Sequence, residues 1–186
     1  FLCRYQQPLD LIYLDPARRN ERKGKVFHLS DCSPNVLEIN HMLLEKSQKV
    51  LLKTAPLLDI HQAIQALKNV SKIWVLEYEG DCREVLYLLE KVSPKAVEIP
   101  IESVSLDGSG KALHAFKFTL QEEQDAPVEF GPPAAFLYEP GPAIMKAGAF
   151  KSFATRFGLH KLHPNSQLYT SVELVHHLPA RSFRIE

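Results

Sequence analysis

A chain of 186 residues, 45% hydrophobic and 24% charged, can bury a core for one domain plus a smaller unit. Its 22 Lys and Arg balance 22 Asp and Glu, which excludes a general electrostatic attraction to nucleic acid and leaves only local basic sites. Three cysteines without a C-x-x-C pair suit a reducing, cytoplasmic compartment, and no apolar run approaches the ~20 residues of a membrane span. The chain opens at Phe1 without Met, shows no signal peptide and stops inside the strand-like "RSFRIE". It reads as an excised fragment.

In chain order, Leu11, Ile12, Tyr13 and Leu14 predict a fully buried strand of a parallel sheet. Pro16 stops it, because proline lacks the N–H that a ladder needs. Asp15 is thereby left at the strand's carboxyl end, the rim where open α/β sheets bind ligands. A basic run follows, with Arg18, Arg19, Arg22, Lys23 and Lys25. Ser33-Pro34 then has the form of an N-cap and first helical residue, predicting a helix over 34–47. "KVLLKT" (49–54) is a second strand, and Asp59 caps a short helix carrying Ile60, Ala63, Ile64 and Leu67. "KIWVLE" (72–77) is a third strand. Asp81 and Glu84 have capping-box spacing and predict a helix over 82–92. Strand–helix alternation of this kind implies βαβ units in a doubly wound sheet.

The rhythm changes at Pro94. Residues 96–106 and 112–120 read as two strands joined by the turn "DGSG" (107–110), with Phe116, Phe118 and Leu120 on one covered face. The acidic, Pro/Gly-rich stretch 121–133 reads as a linker. Phe150, Phe153, Ala154 and Phe157 form a core-facing helical stripe closed by Gly158. "LYTS" and "SFRI" are strands, so a small α+β unit is expected from about residue 134.

Asp15 can accept a hydrogen bond from a nucleophilic amine and aim its lone pair, with Pro16 keeping the turn rigid. The alternative is a strand-capping aspartate before a turn proline. The cations at 18–25, joined by Lys53 at its strand end, can grip nucleic-acid phosphates or form a solvated loop. Cys32 precedes a helix start and Cys82 has no evident base, so neither is assigned chemistry. His160-x-x-His163 lies between Gly158 and Pro164 with no Cys or acidic ligand nearby in sequence. His176 and His177 would point to opposite faces of a strand. No metal is expected.

"LIYLDPARR…KGKVFHLSDCSPNVLEI", "LLKTAPLLDI" and "FLYEPGPAIMKAGAF…LHKLHPNSQLYTS" together resemble bacterial THUMP-like class I S-adenosylmethionine-dependent methyltransferases. The resemblance implies an α/β, Rossmann-like carboxyl-terminal half of a methyltransferase domain over 1–120, incomplete by itself. A linker over 121–133 and a ferredoxin-like α+β domain over 134–186 would follow, with the THUMP-like segment beyond Glu186. It further implies S-adenosylmethionine as cofactor, an RNA substrate, no membrane, and bacterial RNA modification in the cytoplasm.

On this resemblance Asp15 positions the target and touches the cofactor, and Pro16 supplies the rigid turn. Beside that site, the basic cluster makes Arg18, Arg19, Arg22, Lys23 and Lys53 the expected substrate contacts, with a solvated loop as the alternative. The family's Gly-rich cofactor loop has no counterpart before Asp15. "GSG" at 108–110 links two strands and is no substitute, so this chain alone is expected to bind cofactor poorly. Where amino-group methyltransferases read Asn-Pro-Pro-Tyr, Ala17 and Arg18 offer no aromatic ring to stack on a base. Thr54-Ala55-Pro56 has no cysteine, which excludes the covalent uracil mechanism. The rival reading is a non-catalytic RNA- or protein-binding module on a degenerate methyltransferase fold.

Overall fold

The computed structural model describes residues 7–18 and 29–186. Its contacts group into two compact units, Phe1–Trp74 with Glu84–Ile99, and Val75–Arg83 with Pro100–Glu186. No helix among the described residues is long and apolar enough to cross a membrane.

The first unit starts with β1 (Leu9–Leu14), and the short strands β2 (Ala17–Arg18) and β3 (Cys32–Ser33) pair antiparallel after it. Helix α1 (Val36–Lys46) begins at Asn35, whose side chain accepts from the Leu37 amide, and not at Ser33 as the Ser-Pro pair suggested. Strand β4 (Ser47–Thr54) runs parallel to β1, so α1 is the crossover of a βαβ unit. Helix α2 (Ile60–Leu67) is capped by Asp59 as expected and buries Ile60, Ala63, Ile64 and Leu67.

Strand β5 (Val70–Tyr78) is followed by β6 (Asp81–Glu90), a strand where the Asp81/Glu84 spacing suggested a helix over 82–92. Two features decide it. Glu79 (φ 52°) and Gly80 (φ 78°) both take positive φ, the requirement of a two-residue type I′ hairpin turn. Val85, Tyr87 and Leu89 are then buried at period two. Within the first unit the order is β1-β4-β6-β5, with β6 antiparallel to β4. It is a mixed sheet with helices.

Strand β1 departs from the fully buried expectation. Ile12 is 8% exposed, but Leu11 and Tyr13 are 50% and 57% exposed. Ile12 points to the face that described residues cover, whereas Leu11 and Tyr13 point to the face that none of them covers.

In the second unit, residues 96–98 form a single 3-10 turn, shortening the expected first strand to β7 (Pro100–Leu106). β8 (Ala112–Thr119) returns antiparallel from the Asp107 turn, where the Asp107 carboxylate accepts from the amides of Ser109 and Lys111. Part of the expected linker is helix α3 (Leu120–Asp125), because Thr119 and Glu122 close a full capping box. Then come β9 (Phe136–Pro140), α4 (Pro142–Ala147), α5 (Lys151–Phe157), β10 (His160–Lys161), β11 (Tyr169–Ser171) and β12 (Ala180–Arg184). The four strands form a sheet of order β10-β11-β9-β12. His176 and His177 stand in the loop before β12, outside any strand.

The β7–β8 hairpin shares the core of this unit, which is why contacts group residues 100–119 with those after 134. Phe116 meets Phe153 at 6.0 Å between ring centroids, Phe153 meets Tyr169 at 5.2 Å, and Ser103 donates to the Ala143 carbonyl at 3.2 Å.

Candidate active site

Parallel register places Leu14 opposite Leu52, so the next residues, Asp15 just past β1 and Lys53 still within β4, stand side by side at the carboxyl rim. β6 brings the third member. Lys53 pairs with Leu86, and Glu84, two residues earlier on the same face of β6, is the diagonal neighbour within reach of a long side chain. Lys53 Nζ lies 2.7 Å from Asp15 Oδ2 and 3.1 Å from Glu84 Oε1. Asp15 stays about half exposed, whereas Lys53 is three-quarters covered. The hydrogen bond to Asp15, then that to Glu84, holds the Lys53 ammonium well above its ordinary pKa.

Two carboxylates share one ammonium, so these three side chains together carry one net negative charge. Asp15 keeps about half of its side chain exposed beside that contact. The rim can therefore accept from an N–H donor or face a cation. Pro16, following directly, contributes no competing N–H.

Lys53 was grouped by sequence with phosphate-binding cations, and the structure gives its charge to two carboxylates. Arg19, Arg22 and Lys23 lie outside the described residues. Arg18 closes β2, and its side chain is likewise outside them. Glu84 is the member that sequence reasoning missed. The continuous, β-favouring apolar run Val85–Leu89 after Glu79-Gly80 was the available signal, obscured by a Glu-Gly turn that lacks the usual Asn-Gly form.

The other reactive side chains are engaged or damped. Cys32 is buried, and burial pushes the Cys82 thiol up to about 11, away from nucleophile chemistry. His160 Nε2 lies 3.0 Å from Glu129, an acidic partner the local sequence did not reveal, and His163 Nδ1 accepts from the Asn165 amide. A cavity of about 410 Å³ in the second unit is lined by Glu77, His114, Glu139 and Arg181, among others. Its carboxylates are already occupied: Glu77 accepts from the Ala143 amide at 3.2 Å, and Glu139 pairs with Arg181.

Residues 136–179 match the family model of a ferredoxin-like domain. Uncharacterized S-adenosylmethionine-dependent methyltransferases from two strains of Mycobacterium tuberculosis are 28% identical over 160 residues, which is 83% of this chain and 39% of each relative. The crystal structure of a candidate methyltransferase from Porphyromonas gingivalis W83 matches with a TM-score of 0.87 and 34% identity. That match covers 95% of this chain and 43% of the other. Its relatives are named as methyltransferases. The chain spans about two-fifths of their length.

These names imply S-adenosylmethionine, and the described residues do not form a site for it by themselves. No glycine stands among the described residues of the first unit, so no strand-to-helix turn there lets a cofactor approach closer than a Cβ allows. What the unit offers is one acidic wall, Asp15 held by Lys53 and Glu84.

Proposed function

We propose that this chain is the carboxyl-terminal part of a methyltransferase domain followed by a ferredoxin-like domain, and that the whole protein methylates RNA with S-adenosylmethionine. The observation that supports it is the acidic rim: a half-exposed Asp15 at the end of a parallel strand, oriented by Lys53, in a sheet similar to that of the Porphyromonas protein. In this reading the cofactor's cradle lies in the part of the full-length protein outside this chain. Asp15 accepts a hydrogen bond from the target's nucleophilic group through its half-exposed carboxylate and fixes the approach. Arg18, where amino-group methyltransferases have the Tyr of Asn-Pro-Pro-Tyr, disfavours a stacked base amine. The THUMP-like class and the basic loop over 18–25 as RNA contact belong to the same proposal.

The test is Asp15→Ala in full-length protein, following tritiated methyl transfer from S-adenosylmethionine into bulk RNA. Positioning is worth ~3 kcal/mol of barrier, about a hundredfold in rate. Transfer should fall at least that far, with cofactor affinity and thermal midpoint nearly unchanged. Surviving activity with lowered stability would make Asp15 a structural cap. The second reading is a non-catalytic RNA- or protein-binding module, favoured by the absence of a glycine cradle among the described residues of the first unit. It requires wild-type full-length protein to transfer no label at all.

A further inference from the structure

We infer that Glu84 is a positioning residue, which holds the Lys53 ammonium between two strands so that Asp15 is oriented without being neutralised. The inference rests on the reading of Asp15 as the target-positioning group.

Its basis is the geometry of β1, β4 and β6. Lys53 extends from the central strand of the three, with Asp15 on one flank at 2.7 Å and Glu84 on the other at 3.1 Å. A lysine side chain has four rotatable bonds, and a single exposed partner rarely holds it in one place. A second carboxylate on the opposite side removes that freedom. The same contact sets the charge. Asp15 with Lys53 alone would be a neutral pair, with little pull on a donor or cation. Glu84 shares the ammonium and gives the three side chains together one net negative charge.

Nothing in the backbone requires an acid at this position. β6 pairs through its main chain, and its buried residues are Val85, Tyr87 and Leu89. Glu84 has 39% of its side chain exposed, so its neutral isostere leaves the core intact.

The experiment compares wild type, Glu84→Gln, Lys53→Met and the double variant in full-length protein, with two readouts. The first is acylation of Lys53 by N-hydroxysuccinimidyl acetate at pH 9, quantified by mass spectrometry. Glu84→Gln removes one of the two carboxylates at the ammonium and should raise Lys53 labelling at least about threefold. The second is tritiated methyl transfer to bulk RNA. Glu84→Gln should lower kcat about tenfold at unchanged cofactor KM, and should lower it no further in the Lys53→Met background. Unchanged Lys53 labelling overturns the inference. So does a kcat loss that persists in full without Lys53, or labelling that rises while kcat stays fixed. Wild-type protein that transfers no methyl group refutes the underlying reading instead, and the labelling readout then still decides whether Glu84 holds Lys53.

Discussion

Glu123 should be among the costliest exposed-helix residues to remove, because its carboxylate caps a different helix. It stands on α3 and accepts from three successive amides at the start of α5: Phe150 at 3.1 Å, Lys151 at 2.7 Å and Ser152 at 2.9 Å. It also accepts from the Ser152 hydroxyl at 2.6 Å. First-turn amides have no intrahelical acceptor. Phe150 has a second acceptor in the Gly148 carbonyl, so Glu123→Ala orphans the amides of Lys151 and Ser152 together with a hydroxyl on a residue only 6% exposed. A lost cap costs about 1 kcal/mol, and hydrogen bonds to a charged group about 1.5–3 kcal/mol. The expected loss is therefore about 3 kcal/mol.

Glu123→Gln keeps one acceptor oxygen and should recover less than half of that loss. Gln121→Ala, which removes only the exposed contact to Asp125, should cost under ~0.5 kcal/mol as a surface change. Urea unfolding of the full-length protein measures the energies. Amide hydrogen exchange at Lys151 and Ser152 locates them. A Glu123→Ala protein within ~0.5 kcal/mol of wild type, with unchanged protection at those two amides, would refute the capping argument.

Three further outcomes are expected. Tyr87 is fully buried, its hydroxyl has no well-formed hydrogen bond among the described residues, and its polar neighbour, the Thr54 hydroxyl, donates to the Val85 carbonyl at 3.3 Å instead. Tyr87→Phe should then leave stability unchanged or raise it by about 1 kcal/mol in urea unfolding, and a loss of that size would show a hidden partner. Lys53 is a base held above its ordinary pKa of 10.5 when folded, so its contribution is complete below that value and declines above it, where the unfolded chain has lost the proton the folded one keeps. Between pH 9 and 11.5 the wild type should lose stability more steeply than Lys53→Met, and parallel curves would contradict the pairing. For the RNA proposal, Arg19, Arg22 and Lys23 changed together to Ala should flatten the slope of log affinity against log salt by about two units, whereas Lys91, Lys95 and Lys111 changed together should not. Equal effects from both sets would move RNA binding away from the loop.

Features set by neighbours in the chain were legible from sequence alone. Asp59 caps α2, Gly158 ends α5 in the left-handed region, Asp107 organises its turn, and Phe116 with Phe118 faces the core. Each depends on a backbone preference or a periodicity within a few residues. The position of Asp15 at a strand's carboxyl end was visible for the same reason, since Pro16 stops the strand wherever the chain folds.

What the tertiary structure decided is everything that needs register between distant segments. Whether residues 82–92 were helix or strand turned on a Glu-Gly hairpin and on partners some thirty residues away, because Glu84 meets Lys53 only when β6 lies antiparallel to β4. The exposure of Leu11 and Tyr13 followed from a face that no described residue covers, which an apolar run cannot announce. Glu123 capping α5 and Glu129 meeting His160 each join residues about thirty positions apart. The charge of the rim was equally hidden. Asp15, Lys53 and Glu84 are three unrelated positions in the sequence, and only strand pairing brings them within about 3 Å of a shared ammonium.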